Sequence, residues 1–305
     1  MLRTTKFLLF YAHYLHSISF CSDARRTLNN GKVASVVISQ GENVDIFLAS
    51  LLLGSVTGVL AGLFGIGGGL VIVPVLVMLF TAHGFPADSI LLMAIASSLA
   101  SIICTAISSV TAHHRLGSVL WDRVLSLSPT IAVGSAAGAT LAEQLPSDYL
   151  RWIVIVFLVY VGVEMALQIK PRLGTAKASK LMDVLAGTII GLLSAIVGIG
   201  GGTLTVPYLV RGQCVMRQAV ATSSACGLPI AIVGTASYAM LGWHNSALPE
   251  YSFGYVYLPA FLGVSLSSVF TAPIGAKLAH RLPAATLKRY FSLLLFIMAA
   301  KLLWH

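Results

Sequence analysis

Charged residues are scarce in this sequence. Of its 305 residues only 10% are charged and 57% are hydrophobic, whereas soluble domains carry about 25% charged residues. So few charges exclude a soluble protein with an ordinary polar surface. The apolar runs reach the roughly 20 residues that a bilayer-spanning helix needs, and short polar loops separate them. The sequence therefore predicts a polytopic all-α integral membrane protein of the bacterial inner membrane type, with the lipid bilayer as its partner.

Acidic residues are fewer than basic ones, and the formal net charge is +9. The lysines and arginines lie in short loops between apolar runs, where positive charge sets membrane orientation. This placement excludes nucleic acid as the expected partner. The four cysteines have no paired metal-ligand spacing, so neither a metal site nor a cofactor is predicted. The oligomeric state stays open.

Eight apolar segments follow residues 1–43, a variable N-terminal segment that resembles a signal anchor. A basic linker at residues 170–181 separates a first group of four, in residues 44–169, from a second group of four, in residues 182–305. The segments are Val44 to Phe80, Ser89 to Ala112, Val124 to Leu141, Tyr149 to Gln168, Met182 to Val210, Gln218 to Met240, Phe253 to Leu278 and Leu287 to Leu302.

The two groups resemble each other in three places that occur in the same order. The matching pairs are "GLFGIGGGLVIVPVL" (62–76) with "AIVGIGGGTLTVPYL" (195–209), "AIASS" (94–98) with "AVATS" (219–223), and "GATLAEQLPSDYLR" (138–151) with "GAKLAHRLPAATLK" (275–288). Their offsets are 133, 125 and 137 residues. Ordered matches of this kind indicate a duplicated unit, which is typical of secondary transporters.

The loop charges predict how the two units are oriented. If all eight segments cross the bilayer once, the two sides receive six and seven lysines and arginines. If each glycine-bearing segment is a hairpin that returns to its own side, one side of the membrane receives twelve lysines and arginines and the other side receives one. The second arrangement follows the positive-inside rule. It makes the two four-segment repeats inverted, each with a first helix that is broken at its glycines.

The two glycine runs are the candidate substrate site. An irregular backbone inside a bilayer is tolerated only where protein or a water-filled cavity covers it. Pro74 and Pro207 are expected in the first turn of a half-helix that follows each break. Free N–H groups at such a helix start favour an anion, although glycines at these positions also allow tight helix packing. The break residues are Gly67, Gly68, Gly69, Gly200, Gly201 and Gly202.

Five polar residues join the glycines as candidates for binding a small anion. The hydroxyls of Ser97 and Ser98, and those of Thr222 and Ser223 at matching positions, are expected to donate to oxyanion oxygens. Arg217 stands at the start of the same segment as Thr222 and is expected to attract anions.

Ionisable groups inside the apolar segments are rare. Glu164 lies within the fourth segment and Lys277 near the end of the seventh; either one is a functional candidate by its position. A membrane potential of about 100 mV, negative inside, drives a monovalent anion outward by about 2.3 kcal/mol. Export therefore needs no intramembrane carboxylate relay, and the scarcity of such groups favours export.

The chain resembles the TauE/SafE family of sulfite and organosulfonate exporters, also called the toluene sulfonate uptake permease family. The resemblance covers residues 44–305. It implies a permease for sulfur-containing anions such as sulfite, sulfonates and sulfoacetate, and it implies a binding role for the glycine runs and the Ser97, Ser98, Thr222 and Ser223 positions. The motifs are "GLFGIGGGLVIVPVL", "HHRLGSVLW", "IVGIGGGTLTVPYL", "ATSSACGLP", "SFGYVYLPAF" and "PIGAKLAHRLP".

Two other functions stay open at this point. An anion channel differs from a carrier in having no obligatory occluded state, which a sequence does not display. A membrane-embedded enzyme that acts on a phosphorylated lipid would need acid-base or metal-binding groups near the breaks. No Asp, Glu or His occurs at residues 62–80 or 195–210, so the sequence predicts a transporter and not an enzyme.

Overall fold

The computed structural model describes residues 31–64, 68–167, 180–278 and 284–304, which are almost entirely helical. Residues up to Asp45 are a separate unit, in which the described part is the start of the first helix. The rest of the chain, from Ile46 onward, is one compact unit. The helices are α1 (Gly31–Phe64), α2 (Gly69–Ala82), α3 (Ala87–Arg115), α4 (Trp121–Gln144), α5 (Ser147–Ala166), α6 (Lys180–Val197), α7 (Gly202–Arg211), α8 (Met216–Leu241), α9 (Leu258–Leu278) and α10 (Ala284–Trp304).

Seven helices within the described residues are long and apolar enough to cross a membrane. They belong to α1, α3, α4, α5, α6, α8 and α9. The polytopic all-α prediction is thereby confirmed. Helices α2 and α7 have only 14 and 10 residues, too few to span about 30 Å of hydrocarbon at 1.5 Å per residue.

Both long glycine-bearing segments are broken where the sequence predicts. Helix α1 ends at Phe64 and α2 begins at Gly69, while α6 ends at Val197 and α7 begins at Gly202. The expected position of the prolines is wrong, because Pro74 and Pro207 are the sixth residues of their helices and lie in the second turn. Each half-helix begins directly after a glycine, so the proline falls one turn later than expected.

Each broken segment folds back on itself. Asp183 lies in the first turn of α6, and the Tyr208 hydroxyl in the last turn of α7 donates a hydrogen bond to its carboxylate. Helix α7 therefore returns to the level at which α6 begins. At the other break, a β carbon placed on Gly68 would lie 3.1 Å from the carbonyl oxygen of Thr57, seven residues before the end of α1.

Glycine contacts join the two groups of helices. A β carbon on Gly58 would come within 2.7 Å of the Ser268 Cα in α9, and one on Gly275 within 2.1 Å of the Val59 carbonyl oxygen in α1. Helices α4 and α6 make the same kind of contact through Gly134 and Gly191. Small residues let membrane helices approach closely. Helix α1 of the first group thus packs on α9 of the second, and α6 of the second group packs on α4 of the first.

The start of α9 differs from the sequence expectation. The predicted helical segment from Phe253 begins instead with a β-hairpin, in which Ser252–Phe253 pairs antiparallel with Val256–Tyr257. Gly254 makes the turn with a φ of 56°, a conformation that favours glycine. The Tyr257 ring contacts Phe80 and Phe85 edge-on. We call this cluster of Phe80, Phe85 and Tyr257 the aromatic end.

The opposite end of the helices carries a cluster of polar residues. Arg123 in the first turn of α4 pairs with Asp183 of α6 at 3.1 Å, and its guanidinium also faces Gly212 just after α7. We call the surroundings of Arg123, Asp183 and Gly212 the linker end. Helix α3 connects the two ends, since it begins two residues after Phe85 and leads to Leu120 before α4.

Candidate functional site

The two breaks share one backbone conformation. Gly68 and Gly201 precede α2 and α7 with φ values of 78° and 73°, and Gly198 has a φ of 77°. L-residues with a side chain rarely adopt these left-handed values. Gly67 lies outside the described residues. The glycines at these bends are therefore required by the backbone itself, in addition to any role in packing.

The structure brings the two breaks into direct contact. A β carbon on Gly69 would lie 2.3 Å from the carbonyl oxygen of Gly198 and 2.9 Å from the Cα of Ile199. Real β carbons do not approach backbone atoms this closely, so position 69 accepts only glycine without a shift of the chain. The Ser98 hydroxyl also donates to the Gly198 carbonyl at 2.8 Å. The tips of the two hairpins are thus held together.

Each half-helix begins with amides that its own helix leaves unpaired. The first backbone bonds of α2 run from Val71 and Ile72 to the Gly68 carbonyl, at 3.1 and 3.2 Å. The N–H groups of Gly69 and Leu70 precede them and have no acceptor within α2. Helix α7 repeats the pattern, with the N–H groups of Gly202 and Thr203 preceding bonds to the Gly201 carbonyl. These amides carry the positive end of the helix dipole.

The predicted hydroxyl pair Ser97 and Thr222 makes reciprocal bonds between the two groups of helices. Ser97 Oγ accepts the N–H of Tyr257 at 2.9 Å, and Thr222 Oγ1 accepts the N–H of Leu120 at 3.1 Å. Both amides lie directly before a helix, α9 in one case and α4 in the other. Tyr257 and Leu120 are themselves 137 residues apart. The duplicated sequence is therefore matched by duplicated contacts.

The remaining predicted site residues have different surroundings. Ser98 and Ser223 are fully buried next to Ser97 and Thr222, and Ser223 donates to the Val220 carbonyl in its own helix. Arg217 is exposed in the first turn of α8. Glu164 is half-buried in α5, and Lys277 is exposed near the end of α9. The structure thus brings Ser98 into contact with a break, while Ser97 and Thr222 bond to segments that precede helices of the other group. The binding role of each residue stays a prediction.

Residues that the sequence interpretation missed form the linker end. The Asp183 side chain is 8% exposed and the Arg123 side chain 26%, and Tyr208 donates to the same carboxylate. One sequence feature could have indicated this cluster. Asp183 lies three residues into an apolar helix, and a tyrosine follows 25 residues later. Within the described residues, no three side chains of His, Cys, Asp or Glu lie close enough to hold a metal.

The reciprocal bonds predict losses of stability at both positions. Ser97→Ala leaves the buried Tyr257 N–H without an acceptor, which costs about 1 to 3 kcal/mol, and Thr222→Val leaves the half-buried Leu120 N–H without one. We expect both variants to lower the thermal-unfolding midpoint in detergent, Ser97→Ala by the larger amount. Thr140→Val is the control, because the exposed Thr140 hydroxyl only donates to the Ala136 carbonyl of its own helix. Unchanged midpoints in both buried variants would contradict the reciprocal arrangement.

Comparison with known proteins agrees with these features. The family model described as "Sulfite exporter TauE/SafE" matches residues 50–302. A probable membrane transporter protein of Haemophilus influenzae is 40% identical over 253 residues, which cover 83% of this chain and 96% of that protein. A probable membrane transporter protein of Methanocaldococcus jannaschii is 27% identical over 250 residues, covering 81% and 92%.

Another relative is the probable membrane transporter protein YdhB of Bacillus subtilis, 26% identical over 242 residues, with 76% of this chain and 89% of that protein covered. The match to the family model includes both glycine breaks, the bridging hydroxyls of Ser97 and Thr222, and the linker end. The protein is an integral membrane transporter, and it belongs to the sulfite exporter TauE/SafE family.

Proposed function

We propose that this transporter moves small sulfur-containing oxyanions or organosulfonates, by alternating access around the two touching breaks. The contact between Gly69 and Gly198 is the observation that carries the proposal. It places two helix starts, with their unpaired amides, in one region of the protein. N–H groups that a helix start leaves without an acceptor, together with the positive end of the helix dipole, bind anions without a charged side chain. Glycine lets an anion approach the backbone closely.

We infer that the two repeats are inverted relative to each other. Helices α1 and α9 run in the same direction, because Gly263 faces Phe47 while Gly275 faces Val59. Helix α9 begins beside the aromatic end, so α1 also runs away from that end. Helix α6 begins at the linker end, with Asp183 in its first turn. The first helices of the two repeats therefore start from opposite ends of the protein.

The inverted arrangement supports transport by rocking of the repeats. Inverted repeats let one structure open to either side through related contacts, with the substrate site at the repeat junction. Three basic residues from the loops of the twelve-to-one distribution, Arg123, Lys180 and Arg211, belong to helix ends at the linker end. By the positive-inside rule we assign that end to the cytoplasm. Each hairpin then reaches the other from its own side of the membrane.

We propose export as the direction of net transport. A potential of about 100 mV, negative inside, contributes about 2.3 kcal/mol per monovalent anion, which is about a fifty-fold gradient at 1.4 kcal/mol per tenfold. This drive needs no titrating carboxylate in the membrane. The family name refers to sulfite export, and the neutral, amide-rich breaks are compatible with a range of sulfonates.

Reconstitution into liposomes tests the proposed function. Purified protein is assayed with labelled sulfite, sulfoacetate, taurine and sulfate under an imposed potassium-diffusion potential, beside protein-free liposomes. We expect flux of at least one sulfur anion to exceed the protein-free control at least tenfold. Flux out of a negative interior should be faster than at zero voltage. If no sulfur anion moves above the control, the substrate proposal is wrong.

A further inference from the structure

A small cleft lies beside the second break, on the side of the linker end. Its walls come from α1, α3 and α8, and it has room for about one water-sized group, such as one oxygen of an oxyanion. Ala61, Ala106, Gly200 and Gly227 line it with little side-chain volume. Three hydroxyls complete the lining: Thr105, Ser109 and Ser224. The cleft is therefore narrow and uncharged, with several hydrogen-bonding groups.

Ser109 is the unusual member of this lining. It is 3% exposed, and its hydroxyl has no hydrogen-bond partner among the described residues. Leaving a buried hydroxyl unpaired costs about 1 to 3 kcal/mol, and native proteins rarely tolerate it without a reason. Thr105 and Ser224, in contrast, bond to Ser268 and to the Val220 carbonyl. An oxygen atom of a bound solute in the cleft would satisfy Ser109.

The duplicated unit provides an internal comparison for this cleft. With the offset of 125 residues between α3 and α8, Thr105 corresponds to Ile230 and Ser109 to Gly234. Ser224 corresponds to Leu99 by the same offset. At the positions that correspond to the three hydroxyl residues of the cleft, the duplicated unit therefore has two large apolar residues and a glycine.

These apolar residues fill the corresponding space. The Ile230 Cδ1 atom lies 2.4 Å from where a β carbon on Gly201 would sit, and the Leu99 Cδ1 atom lies 2.9 Å from the same point on Gly234. Both side chains are fully buried. Hydrocarbon from Ile230 and Leu99 thus occupies this space, beside the hydroxyls of Ser194 and Ser135, which lie 3.3 and 3.1 Å from the same two points.

We propose that the cleft of Thr105, Ser109 and Ser224 binds the oxyanion head of the substrate on the linker side of the breaks. This inference rests on the proposed function and names its binding site and ligand class. The Ser109 hydroxyl is free to donate to an anion, whereas Thr105 and Ser224 already donate to the carbonyls of Ser101 and Val220. No lysine or arginine lines the cleft to hold the anion tightly. A site that binds moderately lets its solute leave again, as transport requires.

The lining also selects the charge of the ligand. Removing an ion from water is costly unless its charge is matched, and the cost rises with the charge. A simple sulfonate such as methanesulfonate carries one negative charge, whereas sulfate and sulfoacetate carry two. A neutral cleft with apolar walls such as Ile102 therefore favours singly charged oxyanions. We expect singly charged organosulfonates to compete for the site and sulfate to compete poorly.

Transport kinetics test the hydroxyl. Ser109→Ala removes a donor with little loss of volume, and we expect KM for methanesulfonate, a singly charged sulfonate, to rise about three- to tenfold with a maximal rate within twofold of wild type. Ser128→Ala is the control, since the Ser128 hydroxyl donates to the Val124 carbonyl of α4 and lies outside the cleft. An unchanged KM in Ser109→Ala would overturn the assignment.

Chemical labelling tests the site without relying on transport. Ser109→Cys and Ile230→Cys are made in a background with all four native cysteines replaced by serine. An impermeant anionic methanethiosulfonate reagent is then added to either face of sealed vesicles. We expect Cys at 109 to react only from the face at the linker end, with methanesulfonate slowing the reaction at least threefold. Cys at 230 should react from neither face.

The labelling result separates the two proposals. Protected labelling at position 109 in a protein that moves no sulfur anion would support the cleft and contradict the proposed function. Sulfur-anion flux with no labelling at 109, or with labelling at 230 from the opposite face, would contradict the cleft alone. Size-exclusion profiles matching wild type confirm in each case that the variant is folded.

Discussion

Gly69→Ala should reduce transport by about 10- to 100-fold. The new methyl group would meet the Gly198 carbonyl oxygen at 2.3 Å and the Ile199 Cα at 2.9 Å. Both obstacles are backbone atoms, which cannot rotate away as a side chain can. Overpacking of this kind costs about 1 to 3 kcal/mol, so the two hairpin tips must separate. Because the proposed site lies where the tips touch, flux should fall more than the amount of folded protein.

Gly162→Ala is the matched control for this substitution. Gly162 is buried in a membrane-spanning helix, but a β carbon there would first meet the Phe296 ring at 3.2 Å. An aromatic side chain yields by a few tenths of an ångström at small cost. The flux of each variant is divided by the amount of monodisperse protein recovered from size-exclusion chromatography before the variants are compared. Wild-type flux in Gly69→Ala would mean that the contact between the breaks has no part in transport.

Breaking the Arg123–Asp183 pair should be the most damaging charge change in the described helices. Removing one partner of a buried pair costs about 3 to 5 kcal/mol. The Arg123 side chain is 26% exposed, so water compensates part of the loss, and we expect about 1 to 3 kcal/mol. Asp183→Ala also removes the acceptor of the Tyr208 hydroxyl. It should therefore destabilise the protein more than Arg123→Ala does.

A double-mutant cycle separates the pair from its surroundings. Thermal or denaturant unfolding is measured for Arg123→Ala, Asp183→Ala and the double variant, and we expect a coupling free energy of at least about 1 kcal/mol. Asp122→Asn, an exposed neighbour in the same helix, should change stability by less than about 0.5 kcal/mol. Additive losses from the two single variants would show that the ion pair does not hold α4 and α6 together.

Large parts of the fold were predictable because they depend on local sequence. Membrane-spanning helices follow from runs of apolar residues, and a break follows from consecutive glycines. The first half-helix begins directly after Gly68 and the second directly after Gly201, as the repeated motif indicates. The helix start at each proline was misplaced by one turn, since proline is tolerated in a second turn where neighbouring segments cover the backbone.

The contacts of the candidate site were not predictable in the same way. Ser98 bonds to a carbonyl 100 residues later, and Ser97 to an amide 160 residues later. The sequence interpretation proposed these hydroxyls as donors to a substrate, whereas the structure shows Ser97 accepting a backbone N–H and Ser98 donating to a backbone carbonyl. Nothing in the local sequence distinguishes these uses of a buried serine from each other.

By itself, the sequence determined that this protein is a helical membrane transporter with two broken segments and an internal duplication. Composition, run length and repeated motifs suffice for those conclusions because each acts over a few helical turns. Only the tertiary structure decided that the breaks touch, that Arg123 meets Asp183, and that Ser109 faces a cleft whose counterpart is filled by Ile230 and Leu99. These features depend on how distant helices pack, and packing is a property of the whole chain.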